Sequence, residues 1–492
     1  MPQAEAGSLL QRLLAGHAAQ APHQPALLGE SGSVDHATLL RRVLHLAAAL
    51  AARGAHEGCM VGLTLRNEAE HMTACLALLM SGARQVCLAS HDPPALRLDL
   101  ADRLDVALVV GDTPADGLPG RAFCDWGRLR SDTAEAGTLP PAPLADPQAP
   151  AVFLTGSGVS GRAKIMGFSL AQLLAQAQRG YPEYRGRRTL RLGSVEHNNA
   201  KRHRIFSALL GGTSAFSDLR GRALHDFCAA ARIDALGMTL SHVPAMVAAA
   251  KDGARLDPRV LLRIGAQRIP WPVRQEILAT VTPNFHVSYG TTELGGIAMT
   301  RPGEHSATES VGPPLPGVEV EVLGEDGRPA PPGTPGEVRL RGAGMALGYW
   351  DDAAETARRF RDGWFHPGDL VSVAADGALT IHGRADDMMM VNGINVFPAE
   401  IERTLEAHPA IAAAAALAVR SAALGAIPVA AVELHAGAPV TADMLLAYAR
   451  ERLGLRAPRR IAVLANLPRN SQGKVLKRVL ADEAFAPRGH DR

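Results

Sequence analysis

Apolar positions keep two rhythms through roughly the first three hundred residues. Leu39, Val43, Leu46 and Leu50 recur three or four apart, which predicts a helix over 35–53 with Asp35 as its N-cap. Residues 61–65 instead form a short continuous apolar run of strand length, and Asn67 follows as the cap of a helix ending near Ser81 and Gly82. Residues 86–88 and 106–110 are further short runs, and the leucines of the first twenty residues predict an amphipathic helix. Strands alternating with helices predict parallel α/β sheet.

Residues 138–150 contain five prolines and read as a stiff, extended connector. A strand over 151–154 then leads into a glycine-rich loop, and the alternation resumes to about residue 300. From 312 to 383 the texture changes to short β-type runs, such as 318–323 and 338–341, between Gly/Pro turns, as in a small barrel or meander. The remainder reads as α+β, with a helix near 398–408 and a frayed tail, APRGHDR. The alanine-rich run 410–419 is about half of the roughly twenty residues that a bilayer span needs, so a buried strand or helix is expected instead.

Composition narrows the class. The chain is 47% hydrophobic and 20% charged, a globular balance that excludes wholesale disorder. Its 492 residues suggest two to four domains. With 51 basic and 49 acidic residues, the charge gives no argument for a nucleic-acid partner. Cys59, Cys75, Cys87, Cys124 and Cys228 include no CxxC pair, so neither a disulfide framework nor a zinc site is expected. The N-terminus lacks the basic start and apolar core of a signal peptide. These features together predict a soluble cytoplasmic protein.

The candidate chemistry begins at LTGSGVSGRAK (154–164), a loop after a strand. Glycines allow the backbone to approach a phosphate, Ser157 and Ser160 add hydroxyls, and Lys164 adds a cation. It is not a P-loop, because no glycine precedes the lysine and no Ser/Thr follows it. Five more segments follow in order: SYGTTE (288–293), GEVRLRG (336–342) with GYW (348–350), DGWFHPGD (362–369), GRADD (383–387) with PAEIE (398–402), and PRNSQGK (468–474).

This ordered set resembles the motifs of the adenylate-forming superfamily, which includes acyl-CoA synthetases, stand-alone adenylation enzymes and luciferases. The resemblance implies a large N-terminal domain of two α/β subdomains plus a β-rich subdomain, over 1–383. It further implies a hinge at 384–387 and a small α+β C-terminal lid over 388–492. The implied reaction activates a carboxylic acid with ATP and Mg²⁺ as an acyl-adenylate, then passes the acyl group to a thiol, either CoA or a carrier protein's phosphopantetheine in trans. That chemistry needs positioning and stabilisation of charge rather than a nucleophilic side chain.

By the same resemblance, Ser157, Gly158, Ser160, Gly161 and Lys164 would hold phosphates, with Tyr289, Gly290, Thr291 and Thr292 lining the ATP site. Thr292 would donate to the α-phosphate, Glu293 would hold the metal and Asp369 the ribose hydroxyls. Arg384 would reach ribose or phosphate, Lys474 would approach the acid and the α-phosphate together, and Asp386 would be the hinge. Gly393 would line the thiol's path, His197 would gate the acid, and Gly265 and Ala266 would lie beneath the acyl group. Tyr289 reads first as an adenine platform and, nearly as well, as a core tyrosine.

Some positions depart from the pattern. Val159 and Ala163 replace a usual hydroxyl residue and proline, His366-Pro367 replaces a more frequent Arg-Thr, and Met390 stands where many relatives have lysine. The run after His197 (Asn198, Asn199, Lys201, Arg202, His203, Arg204) is polar where the family text is apolar. It reads either as a solvated loop and helix start or as side chains that meet a polar acid or the phosphopantetheine arm. No aspartate stands where amino-acid-activating domains hold the α-amine, so an aryl or aliphatic acid is expected. A non-catalytic nucleotide-binding relative is the rival from another class; the presence of Lys474, Glu293 and Asp369 counts against it.

Overall fold

The computed structural model describes residues 8–134, 145–156, 163–391, 394–421, 425–470 and 473–486. The loop residues Ser157, Gly158, Val159, Ser160 and Gly161, the thiol-path residue Gly393, most of the proline-rich connector and the C-terminal tail lie outside them.

Helices form where the sequence caps them. Asp35 accepts from the Thr38 N–H at 2.7 Å and starts the helix His36–Ala51, which buries Leu39, Val43, Leu46 and Leu50. Asn67 accepts from the Glu70 N–H at 3.0 Å and starts Glu68–Ser81, which ends on Gly82 in the left-handed region at φ 77°. The alanine-rich run forms the strand Ile411–Ser421, and no described helix is long and apolar enough to cross a membrane.

Two largely parallel sheets make the body. In one, Met60–Thr64 pairs in parallel with both Arg84–Cys87 and Leu108–Gly111, and Pro150–Gly156 closes the glycine-rich hairpin against Lys164–Ser169. In the other, eight-stranded sheet, Arg188–Arg191, Ala235–Met238, Leu261–Gly265 and Phe285–Thr291 run parallel. Such strands send their carboxyl ends to one rim, where open α/β sheets bind ligands. A six-stranded, antiparallel β-rich unit follows, ending in Leu379–Arg384. The C-terminal unit packs the helix Pro398–Glu406 on Ile411–Ser421 in a three-stranded sheet with its own core.

Candidate functional site

The strand Phe285–Thr291 reaches the rim and breaks register between Tyr289 and Gly290 against its antiparallel neighbour Gly295–Met299. Such a break re-aims the side chains around it. The Tyr289 hydroxyl donates to Asp369 Oδ2. Arg384 lies across the antiparallel ladder from Asp369 and donates from Nη1 to Asp369 Oδ1 at 3.3 Å and to the Pro367 carbonyl at 2.9 Å. Its Nε reaches Asp386 Oδ1 at 3.0 Å, so the expected hinge residue is tied to the expected ribose carboxylate through one guanidinium. Burial pushes the Asp369 carboxyl above its usual range, although the Tyr289 hydroxyl and Arg384 pull it down. Burial also raises the Tyr289 hydroxyl well above its ordinary value, which keeps it a donor. Gly368, at φ 79°, leaves no room for a Cβ beside Arg359.

A second group lies on the other side of Glu293. Its Oε1 accepts from the Tyr349 hydroxyl at 2.9 Å. Lys164 Nζ stands 4.7 Å from the centre of the Tyr349 ring and 2.5 Å from Glu355 Oε1. Glu355 also takes Arg358 and, at 3.1 Å, Arg359. Burial and the nearby Arg359 lower the Lys164 ammonium's pKa. Lys164 therefore anchors the glycine-rich hairpin to the helix Ala353–Arg359; Tyr349 was marked by its motif, but nothing in the sequence singled out Glu355.

On the acid side, His197 caps the helix Asn198–Leu209, and its ring stacks on His91 at 5.4 Å between centroids. Burial, then His91, lowers its pKa. Glu196 receives the Ser90 N–H at 2.7 Å and His91 Nδ1 at 3.2 Å. Asn198 donates to Thr155 Oγ1 at 2.9 Å, tying this helix to the glycine-rich strand. The solvated reading of the polar run holds for Asn199, which is exposed, but not for Lys201, Arg202, His203 and Arg204, which are only 0%, 7%, 5% and 3% exposed. Every residue from Ala200 to Leu209 is buried, so the helix is covered on all sides and its polar residues have no solvent face.

Gly265 ends its strand where an added Cβ would lie 2.5 Å from Ser288 Oγ and 2.7 Å from the Ser288 carbonyl oxygen. Close approach of the neighbouring strand is thus what requires glycine there, and Ala266 follows with a left-handed φ of 73°. Gly290, Thr291 and Thr292 sit together at the end of Phe285–Thr291, where Arg202 meets the Thr291 and Thr292 carbonyls.

Lys474 belongs to the C-terminal unit and is exposed, with its N–H donating to Asn470 Oδ1 at 2.9 Å. The preceding Gly473 abuts Ser241, so a Cβ there would lie 3.2 Å from Ser241 Cβ. The lysine loop therefore rests on the rim of the N-terminal body. A separate ionic cluster joins the two units. Arg268 bonds Glu309 at 2.5 and 2.9 Å and Glu406 at 2.6 Å, while Arg403 bonds Glu309 at 3.1 Å. These residues are scattered through the chain and carried no signal in the sequence.

Burial pushes the Glu406 carboxyl from 4.5 up to about 7, with Glu402 adding to the rise and Arg268 opposing it. Because burial in the folded protein raises this pKa, the Glu406 contribution to stability is full below about 4.5 and lost as pH rises through about 7. Chemical denaturation is expected to show lower stability at about pH 8 than at about pH 6. Glu406→Gln should flatten that difference; an unchanged pH profile in this variant would contradict the assignment.

Comparison with known proteins gives concordant matches. A family described as AMP-binding enzyme matches residues 14–350, and its C-terminal domain matches 400–474. A 2-succinylbenzoate–CoA ligase of Geobacillus kaustophilus is 36% identical over 220 residues, spanning 44% of each chain, so less than half of that relative's length is matched. A salicyl-AMP ligase / salicyl-S-ArCP synthetase of Mycobacterium tuberculosis is 30% identical across 91% of the chain and 85% of the relative. The structure of o-succinylbenzoate CoA synthetase from Bacillus subtilis, in complex with its acyl-adenylate intermediate, superimposes with a TM-score of 0.83. That match is 24% identical and covers 96% of this chain and 98% of the other, a likeness of fold.

Proposed function

Because the chain belongs to the AMP-binding enzyme family, we propose that it joins a carboxylic acid to a thiol through an acyl-adenylate. The observation that carries this reading is the meeting of Tyr289, Asp369, Arg384 and Asp386 beside the Thr291–Glu293 turn. In the first step a carboxylate oxygen attacks the α-phosphorus of ATP, and pyrophosphate leaves. In the second a thiolate attacks the acyl carbon, and AMP leaves. Asp369 accepts the ribose hydroxyls, Tyr289 orients Asp369, Thr292 donates to the α-phosphate, and the glycine-rich loop cradles the outer phosphates. Lys474 draws the two anions together from the lid.

A single carboxylate, Glu293, whose Oε1 is already steadied by Tyr349, suits Mg²⁺, which takes few protein oxygens and completes its shell with water and phosphate. When bound, the ion would neutralise the phosphate charge. Glu293→Ala is expected to raise the Mg²⁺ concentration for half-maximal activity by about tenfold, read by titrating the metal. Unchanged metal dependence would remove Glu293 as the ligand.

We place the lid at 388–492 and the hinge at 384–387, with 1–383 as the body. Arg384 and Asp386 at this junction, and the lysine loop resting on Ser241, support a lid that moves between the two steps. The acid is an aryl or aliphatic one rather than an α-amino acid, in keeping with the aryl acids in the names of two relatives. CoA is the first acceptor. A carrier protein's phosphopantetheine is the second reading, favoured by the relative aligned over 91% of the chain, which is named for both salicyl-AMP and a carrier. Five free cysteines support a reducing, cytoplasmic setting.

The test is incubation with salicylate, benzoate or octanoate, ATP and Mg²⁺, with CoA or a phosphopantetheinylated carrier. Mass spectrometry should find AMP and one acyl thioester in equal amounts. ADP as the product would overturn the mechanism.

A further inference from the structure

The buried helix Asn198–Leu209 places Arg202 against the turn that the proposed nucleotide site uses, and this inference rests on that site. Its Nη1 donates to the Thr292 carbonyl at 2.7 Å and its Nη2 to the Thr291 carbonyl at 3.3 Å. The side chain sits in a residue only 7% exposed, and its Nε has no hydrogen-bond partner among the described residues. Burial lowers its pKa, and the charged or polar groups that oppose this are Tyr181 and Glu293. A guanidinium buried with so little compensation is expensive unless it acts on something.

The peptide geometry says what it acts on. In a trans peptide the carbonyl and the following N–H point in opposite directions. Holding the Thr291 and Thr292 carbonyls toward Arg202 turns the N–H groups of Thr292 and Glu293 away from it, to the open side of the turn. Among the described residues no acceptor meets either N–H. Two adjacent free amides with a buried positive charge behind them make an anion-binding concavity.

We propose that Arg202 is a positioning residue that aims the Thr292 and Glu293 amides at the nucleotide's α-phosphate and supplies positive potential behind them. It touches no substrate and works through the backbone. AMP carries that phosphate and adenosine lacks it, so their relative affinities report this role without knowledge of the acid.

The experiment measures AMP and adenosine binding by calorimetry to the wild type, Arg202→Met and Arg202→Lys, with thermal unfolding as the control for folding. Arg202→Met is expected to weaken AMP about tenfold while adenosine stays within about twofold, and Arg202→Lys should recover part of the loss. A purely structural role would weaken both ligands together. The proposal is overturned if Arg202→Met keeps the wild-type AMP-to-adenosine ratio, loses both ligands equally, or fails to fold along with Arg202→Lys. A wild type that binds AMP no better than adenosine would instead refute the nucleotide site itself, and this inference with it.

Discussion

Alanine in place of Lys474 is expected to slow adenylation about a hundred- to a thousandfold, the usual effect of removing one group aimed at developing charge. The first step presses a carboxylate against a polyphosphate, and a mobile ammonium is the one group in the proposed arrangement that approaches both. The second step begins from a mixed anhydride and has no such repulsion to overcome. Transfer from synthetic acyl-adenylate to the thiol should therefore stay near the wild-type rate. The approach of Gly473 to Ser241 already brings this loop against the N-terminal body. Undiminished adenylation by Lys474→Ala would remove the role, and equal loss of both half-reactions would point to lid folding instead.

The second large effect concerns stability. Glu309 is 5% exposed, holds a left-handed φ of 58°, and collects Arg268, Arg403 and the Trp271 N–H on one carboxylate. The Arg274 guanidinium also donates to its backbone carbonyl at 2.9 Å. Glu309→Ala strips the shared counter-ion from two arginines that are largely shielded from water, with side chains 20% and 24% exposed. Breaking a buried ion pair from one side destabilises by about 3–5 kcal/mol; Glu406 and Glu402 remain near Arg268, which favours the lower end. Chemical denaturation should show this loss together with faster cleavage between the two units. A change below about 1 kcal/mol would mean that the cluster does not hold the lid.

The fold was legible wherever local chemistry decides it. Asp35 and Asn67 cap the helices they were expected to cap, and the apolar runs became parallel strands because helices separate them. Ordered motifs located Tyr289, Asp369, Arg384 and Asp386, which the structure joins into one network. Long-range partnerships were not legible. Lys164 spends its charge on Glu355, nearly two hundred residues away, and no spacing rule announces such a pair. For the run Lys201 to Arg204 a solvated reading stood open because charged residues are usually exposed, whereas the structure buries all four. Gly265 was marked only by its motif, and the close approach of Ser288 that excludes a Cβ there had no signal in the sequence.

The central claim, formation of an acyl-adenylate, is tested most directly by acid-dependent ATP–pyrophosphate exchange across aryl, fatty and α-amino acids. Magnesium-dependent exchange with an aryl or aliphatic acid, and none with α-amino acids, is the predicted result. Firm ATP binding without exchange for any acid class would contradict it and leave a nucleotide-binding protein that does no adenylation.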